Sequence, residues 1–157
     1  MALLLHENLL RGVHPALVML CHTWQAQLKF DVKVLSGVRT DAEQGRLYAQ
    51  GRTAPGPQVT NAQDATTSPH GIRWWGDRVF GCAADVCPVD DNGNRWDNPD
   101  AYEEMATWAY RRTDIDWGGR WKTLVDKAHW EMAGWRECPA ASSSLNPDFT
   151  GVRGGVS

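Results

Sequence analysis

Apolar and polar positions alternate along this chain in short runs of two different periods. Over residues 14–30, Leu17, Leu20 and Cys21, Trp24 and Leu28 recur at helical spacing behind Pro15, a residue suited to a first turn. Residues 31–35 alternate polar and apolar around two valines and predict a short strand, after which Ser36-Gly37 turns the chain. Thr40 with Glu43 forms a capping box that opens a helix through Gln50, and Gly51 ends it. Residues 53–70 make a polar loop of a length that usually carries function in a small domain. Residues 71–80 fit neither period. Residues 81–86 read as a buried strand of small side chains, and residues 90–98 are rich in turn formers. Asn98-Pro99 opens a helix to about Arg112, with Ala101, Tyr102, Met105, Trp108 and Ala109 on one face. Residues 115–119 and 128–132 read as short extended pieces. Elements of both types without β-α-β alternation predict an α+β fold. The expected organisation is one domain over residues 1–138 and a flexible Ser/Gly/Asn-rich tail over 139–157.

Composition narrows the function classes. A length of 157 residues suits one domain with a hydrophobic core, and 42% apolar with 22% charged residues excludes global disorder. A net charge of −3 argues against recognition of nucleic acid or an anionic membrane by bulk charge. The apolar run at residues 2–5 is too short for a secretory signal or a membrane span, so the expectation is a chain made in the cytoplasm and not inserted in a membrane. The four cysteines show no Cys-x-x-Cys spacing and read as buried thiols. Tryptophan is in excess: eight of the nine lie after residue 73.

Three residues carry candidate chemistry. His70 ends the polar loop, Asp85 sits in an otherwise apolar strand, and His129 lies near the start of the last extended piece. A carboxylate in an apolar run is costly unless it is paired or bound to a cation. Two histidines and one carboxylate leave a fourth position open, the donor set of a catalytic rather than structural zinc. On spacing alone the same residues also read as a core histidine, a buried ion pair and a surface aspartate. His6, His14 and His22 read as cap or surface residues around the first helix.

Four blocks bear on that choice. They are Ser36-Gly-Val-Arg39-Thr40 with Glu43-Gln44 and Gly51-Arg-Thr53; Pro55-Gly56 with Thr60-Asn61-Ala62; Ser68-Pro-His70 with Gly81-Cys-Ala83-Ala-Asp85; and Asp116-Trp-Gly-Gly119 with Asp126-x-x-His129-Trp130-Glu131. Together they resemble the zinc peptidases of the D-alanyl-D-alanine carboxypeptidase and L-alanyl-D-glutamate endopeptidase family, phage endolysins included. The third block is similar to the pattern Ser-x-His-x-x-Gly-x-Ala-x-Asp, except that residues 71–80 stand where the pattern has two positions. This insertion contains Trp74-Trp75 and Asp77, and Asp77 is the substitute ligand if the insertion displaces Asp85.

The resemblance implies a hedgehog/DD-peptidase-like fold, a small antiparallel sheet with flanking helices. It implies Zn2+ held by His70, Asp85 and His129, with Asp126 as general base and Arg39 holding a substrate carbonyl or oxyanion. Glu131 is the rival base; if 129–131 is extended it shares the face of His129 and orients a ligand instead. Ser68 is expected to bond substrate or shape the surrounding loop, and Gln44 to lie at the substrate or, as a helical glutamine, in solvent, with Thr60 and Asn61 fixing that loop. Trp117, Trp121 and Trp130 either wall the site or pack the core. Trp74 and Trp75 are expected as an exposed pair touching peptidoglycan. The implied substrate is the bacterial peptidoglycan stem peptide, cut at its L-alanyl-D-glutamate bond by a monomeric phage endolysin. Such an enzyme reaches the wall from the host cytoplasm after a holin-like partner permeabilises the membrane. The alternatives are a D-alanyl-D-alanine carboxypeptidase and a non-catalytic wall-binding or virion protein of the same fold.

Overall fold

The computed structural model describes residues 2–142 and 145–147. Helix α1 (Pro15–Gln27) starts where Pro15 predicts, and His14 caps it by accepting the Ala16 N–H on Nδ1 at 3.0 Å. Its face of Leu17, Leu20, Cys21 and Trp24 is buried. Helix α2 (Asp41–Ala49) has the predicted capping box between Thr40 and Glu43, and α3 (Pro99–Ala109) is capped by Asn98. The strands are β1 (Leu4–Leu5), β2 (Val32–Ser36), β3 (Ile72–Trp75), β4 (Arg78–Gly81), β5 (Ala83–Pro88), β6 (Ile115–Trp117) and β7 (His129–Met132).

Five of these strands form one sheet in the order β1-β2-β5-β7-β6. It is antiparallel except for the two-residue edge strand β1, which runs parallel to β2. The α+β class with flanking helices is the one expected. Side chains along β7 alternate faces, so Trp130 and Met132 point one way and His129 and Glu131 the other. The first face packs on α1 and α3. There Trp130 is fully buried, edge-on to Trp24 at 4.8 Å and stacked on Trp117 at 5.3 Å. Of the two readings of Trp130, a wall of the site or the core, the structure has the core: an adjacent position in a strand faces the opposite side of the sheet. Asp85 of β5 and His129 and Glu131 of β7 floor the other face.

The inserted residues 71–80 form a hairpin. Trp75 pairs with Arg78, so Gly76-Asp77 is a two-residue turn, and Gly76 takes the positive φ of 66° that this turn requires. The hairpin also splits the tryptophan pair. Trp74 is outward and exposed; Trp75 turns inward, donates its indole N–H to the Cys82 sulfur at 3.0 Å and meets the His14 ring at 4.7 Å. Strand alternation overturns the expected exposed pair. The Trp74 N–H reaches the Pro139 carbonyl and the Ala141 N–H the Ile72 carbonyl, so residues 139–141 lie along β3. Of the expected tail, residues 143–144 and 148–157 lie outside the described residues. All four cysteines are free thiols. No helix among the described residues is long and apolar enough to cross a membrane.

Candidate metal centre

Sheet register assembles the first half of the site. Asp85 on β5 stands opposite His129 on β7 and, on its other side, opposite Ser36 at a register shift in β2. His70 arrives from the long loop and is pinned from several directions. Its N–H donates to Ser68 Oγ at 3.1 Å, and its carbonyl accepts the Arg39 N–H at 2.9 Å. The preceding Pro69 carbonyl accepts the Cys82 N–H at 2.8 Å, which anchors the loop end to the sheet beyond the inserted hairpin. The insertion therefore leaves His70 and Asp85 together, and Asp77 sits exposed at the hairpin tip.

Three donor atoms form a nearly equilateral triangle. His70 Nε2 lies 3.3 Å from His129 Nδ1 and 3.3 Å from Asp85 Oδ1, and His129 Nδ1 lies 3.1 Å from Asp85 Oδ1. Ligands of a tetrahedral ion with bonds of 2.0–2.1 Å are roughly 3.3–3.4 Å apart, so the triangle has the size of one face of a zinc coordination shell. The tautomers fit as well. His70 Nδ1 faces the Gly37 carbonyl at 2.8 Å, which only accepts, so its proton is there and Nε2 offers a lone pair. His129 Nε2 faces Glu131 Oε1 at 2.8 Å, so this nitrogen carries a proton and Nδ1 is turned to the triangle.

The electrostatics favour a cation at this point. Burial opposes charge on His129, but hydrogen bonds to Asp85 and Glu131 outweigh it and push its pKa up to about 9. Burial opposes charge on Asp85 too, yet His70 and His129 hold its carboxyl well below the usual range. Burial drives His70 down against the pull of Asp85. An ionised carboxylate and a neutral imidazole thus share the centre with an imidazole that keeps positive charge there, and all three residues are buried.

Polar partners hold these donors in turn. Glu131, also buried, uses Oε1 for His129 and accepts the Trp135 indole N–H on Oε2. Arg39 donates to Asp85 Oδ2 at 2.6 Å, to Ser36 Oγ at 3.0 Å and to Gln44 Oε1 at 3.3 Å. Gln44 is fully buried and passes its amide protons to Thr60 Oγ1 at 3.2 Å and the Ala62 carbonyl at 2.9 Å. Arg39 and Gln44 thereby tie the outer oxygen of Asp85 to the long loop.

The triangle floors a cleft of about 710 Å³. One wall is α2 and the long loop, with Leu47, Val59, Thr60 and Asn61; the other is the 121–126 segment, with Trp121, Lys122, Leu124 and Asp126. The Trp121 ring lies 4.9 Å from that of His129. Asp126 is held beside the floor because its N–H donates to the Gly118 carbonyl at 3.1 Å. Gly118 permits that approach, since a Cβ there would stand 2.5 Å from the Asp126 carbonyl oxygen. Ser68, Arg39 and Glu131 also line the cleft; Trp74, Trp75, Trp117 and Trp130 do not. Trp135 and Arg136 line it without having been foreseen, because nothing in the pattern around residue 135 distinguishes a cleft wall from an irregular end.

No protein-family model matches the chain. Among solved structures, it is similar to the crystal structure of the Serratia marcescens L-Ala D-Glu endopeptidase ChiX. The two share 25% identity over 80% of this chain and 84% of that one, with a TM-score of 0.54. The chain has a DD-peptidase-like α+β fold. Within that fold, the buried His70, Asp85 and His129 form a group able to hold a metal ion.

Proposed function

We propose that the chain is a zinc-dependent peptidoglycan peptidase that hydrolyses the stem peptide at its L-alanyl-D-glutamate bond. The observation that carries this reading is the triangle of His70, Asp85 and His129 on the floor of a substrate-sized cleft, in a fold similar to that of an endopeptidase for the same bond. His70 Nε2, His129 Nδ1 and Asp85 Oδ1 are the zinc donors. When bound, zinc supplies Lewis acidity toward a peptide carbonyl and makes water a competent nucleophile near neutral pH.

The chain's own groups handle orientation and protons. Glu131 fixes the ring of His129, and Arg39 fixes the carboxylate of Asp85 through its outer oxygen. Asp126 is the general base. Its Oδ1 accepts the Ala128 N–H at 3.2 Å, which leaves Oδ2 to take a proton from the attacking water. As the water oxygen bonds to the acyl carbon and the C–N bond breaks, Asp126 returns that proton to the leaving nitrogen. Glu131 is unsuited to this task because both its oxygens are already accepting hydrogen bonds. Trp121 beside His129 restricts water at the reacting centre. The endolysin-like blocks support a setting in phage lysis of the host wall.

Digestion of defined muropeptides with and without a chelator, read by mass spectrometry, tests the reading. New L-alanine and D-glutamate ends that vanish with chelator are expected. Release of terminal D-alanine would replace the proposal with a carboxypeptidase. Sacculus binding without any cleavage would replace it with a wall-binding protein.

A further inference from the structure

The inserted hairpin reaches the cleft through one buried arginine. Arg73 on β3 is 6% exposed and donates to the carbonyls of Cys138 at 2.8 Å and Thr66, which bridges the 135–138 turn to the long loop. Its guanidinium lies against the Trp135 ring, 4.7 Å from the centroid. A second guanidinium, that of Arg136, lies 4.4 Å from the same centroid. The ring that both contact is fixed by its N–H bond to Glu131, the partner of His129. Arg136 is exposed and lines the cleft, and among the described residues no carboxylate pairs with it. A guanidinium placed over an indole face keeps N–H donors for an incoming anion.

The proposed substrate carries an anion next to the bond to be cut. D-Glutamate continues along the stem through its γ-carboxyl, so its α-carboxylate stays free directly beside the scissile bond. Arg136 is only Trp135 and Glu131 away from a metal donor, and the nearest substrate carboxylate is this one. We infer that Arg136, braced by Trp135 and by Arg73 of the inserted hairpin, is a subsite that binds the free α-carboxylate of the D-glutamyl residue. The inference rests on the peptidase reading above and adds a specificity determinant on the leaving-amine side. A charge-assisted bidentate contact of this kind favours the acid over a neutral isostere by at least about tenfold.

Two synthetic stem peptides test it, one with D-glutamate and one with D-isoglutamine, whose carboxamide replaces the α-carboxylate at nearly constant size. The zinc-loaded wild type is expected to favour the acid by about tenfold or more in kcat/KM, chiefly through KM. Arg136→Gln should bring that ratio close to one without changing the zinc Kd, and Arg136→Lys should retain part of it. Arg136 is exposed, so the substitutions leave the core intact. Equal use of both peptides by the wild type overturns the subsite, as does a preference that survives Arg136→Gln. If neither peptide is cut, the peptidase reading fails, and calorimetric binding of the same peptides decides the subsite. Tighter acid binding that depends on Arg136 supports it, and equal binding refutes it.

Discussion

Two acidic residues near His129 have different surroundings, and these set their roles. Glu131 is buried with both oxygens occupied, whereas Asp126 stands half-buried in the cleft wall with one oxygen uncommitted. Asp126→Ala should therefore keep its zinc and lose about 10²- to 10⁴-fold in kcat. Metal analysis beside steady-state kinetics checks this, and full activity in the variant refutes the base assignment. His129 gives a second expectation. Hydrogen bonds to Asp85 and Glu131 overcome burial and hold its proton up to about pH 9, and zinc must displace that proton to use Nδ1. Zinc affinity should then climb with pH between 6 and 8, by up to about tenfold per unit, as read by chelator competition at each pH. Some of this was legible in the chain. The Gly-x-Ala-x-Asp block located Asp85, and period-two spacing located Glu131 on the face of His129. Gln44 was not legible as a buried link, because a glutamine on a helix looks the same whether it meets water or a neighbouring loop. Trp130 stayed open between site and core in the sequence, and its place next to His129 is a place on the opposite face of the sheet.

At the scale of elements, the inserted hairpin acts as a brace. Its buried Arg73 satisfies two carbonyls of different segments and packs on Trp135. Arg73→Met strands both acceptors, so a loss of about 2 kcal/mol is expected, equivalent to a Tm lower by roughly 4–8 °C in a chain of this size. Differential scanning calorimetry checks it; an unchanged Tm would mean that the hairpin only rests on the domain. The helix starts were readable, since Pro15, the Thr40/Glu43 box and Asn98-Pro99 are local signals and the structure uses each of them. The hairpin had a local signal as well, Gly76-Asp77 between Trp74-Trp75 and Arg78-Val79-Phe80, but adjacent tryptophans obscured the alternation. Strand β1 spans only two residues and depends on pairing with β2, so no periodicity could reveal it.

At the scale of the molecule, one sheet separates two environments. Its helix-covered face holds the aromatic core of Trp24, Trp117 and Trp130, and its open face holds the acidic and imidazole groups that floor the cleft. The tryptophan excess divides accordingly between core, cleft wall and hairpin, a division set by tertiary contacts that composition does not encode. His70, Asp85 and His129 turn three buried donors to one point, the arrangement expected of a shared cation, and the cleft above them is where that cation would meet a peptide. Zinc titration against a competing chelator tests this central claim most directly, run in parallel on the wild type, Asp85→Asn and His129→Ala. One zinc per wild-type chain is expected, with affinity weakened at least about a hundredfold in each variant. A wild type that takes up no zinc, or variants that bind it as tightly, would contradict the account.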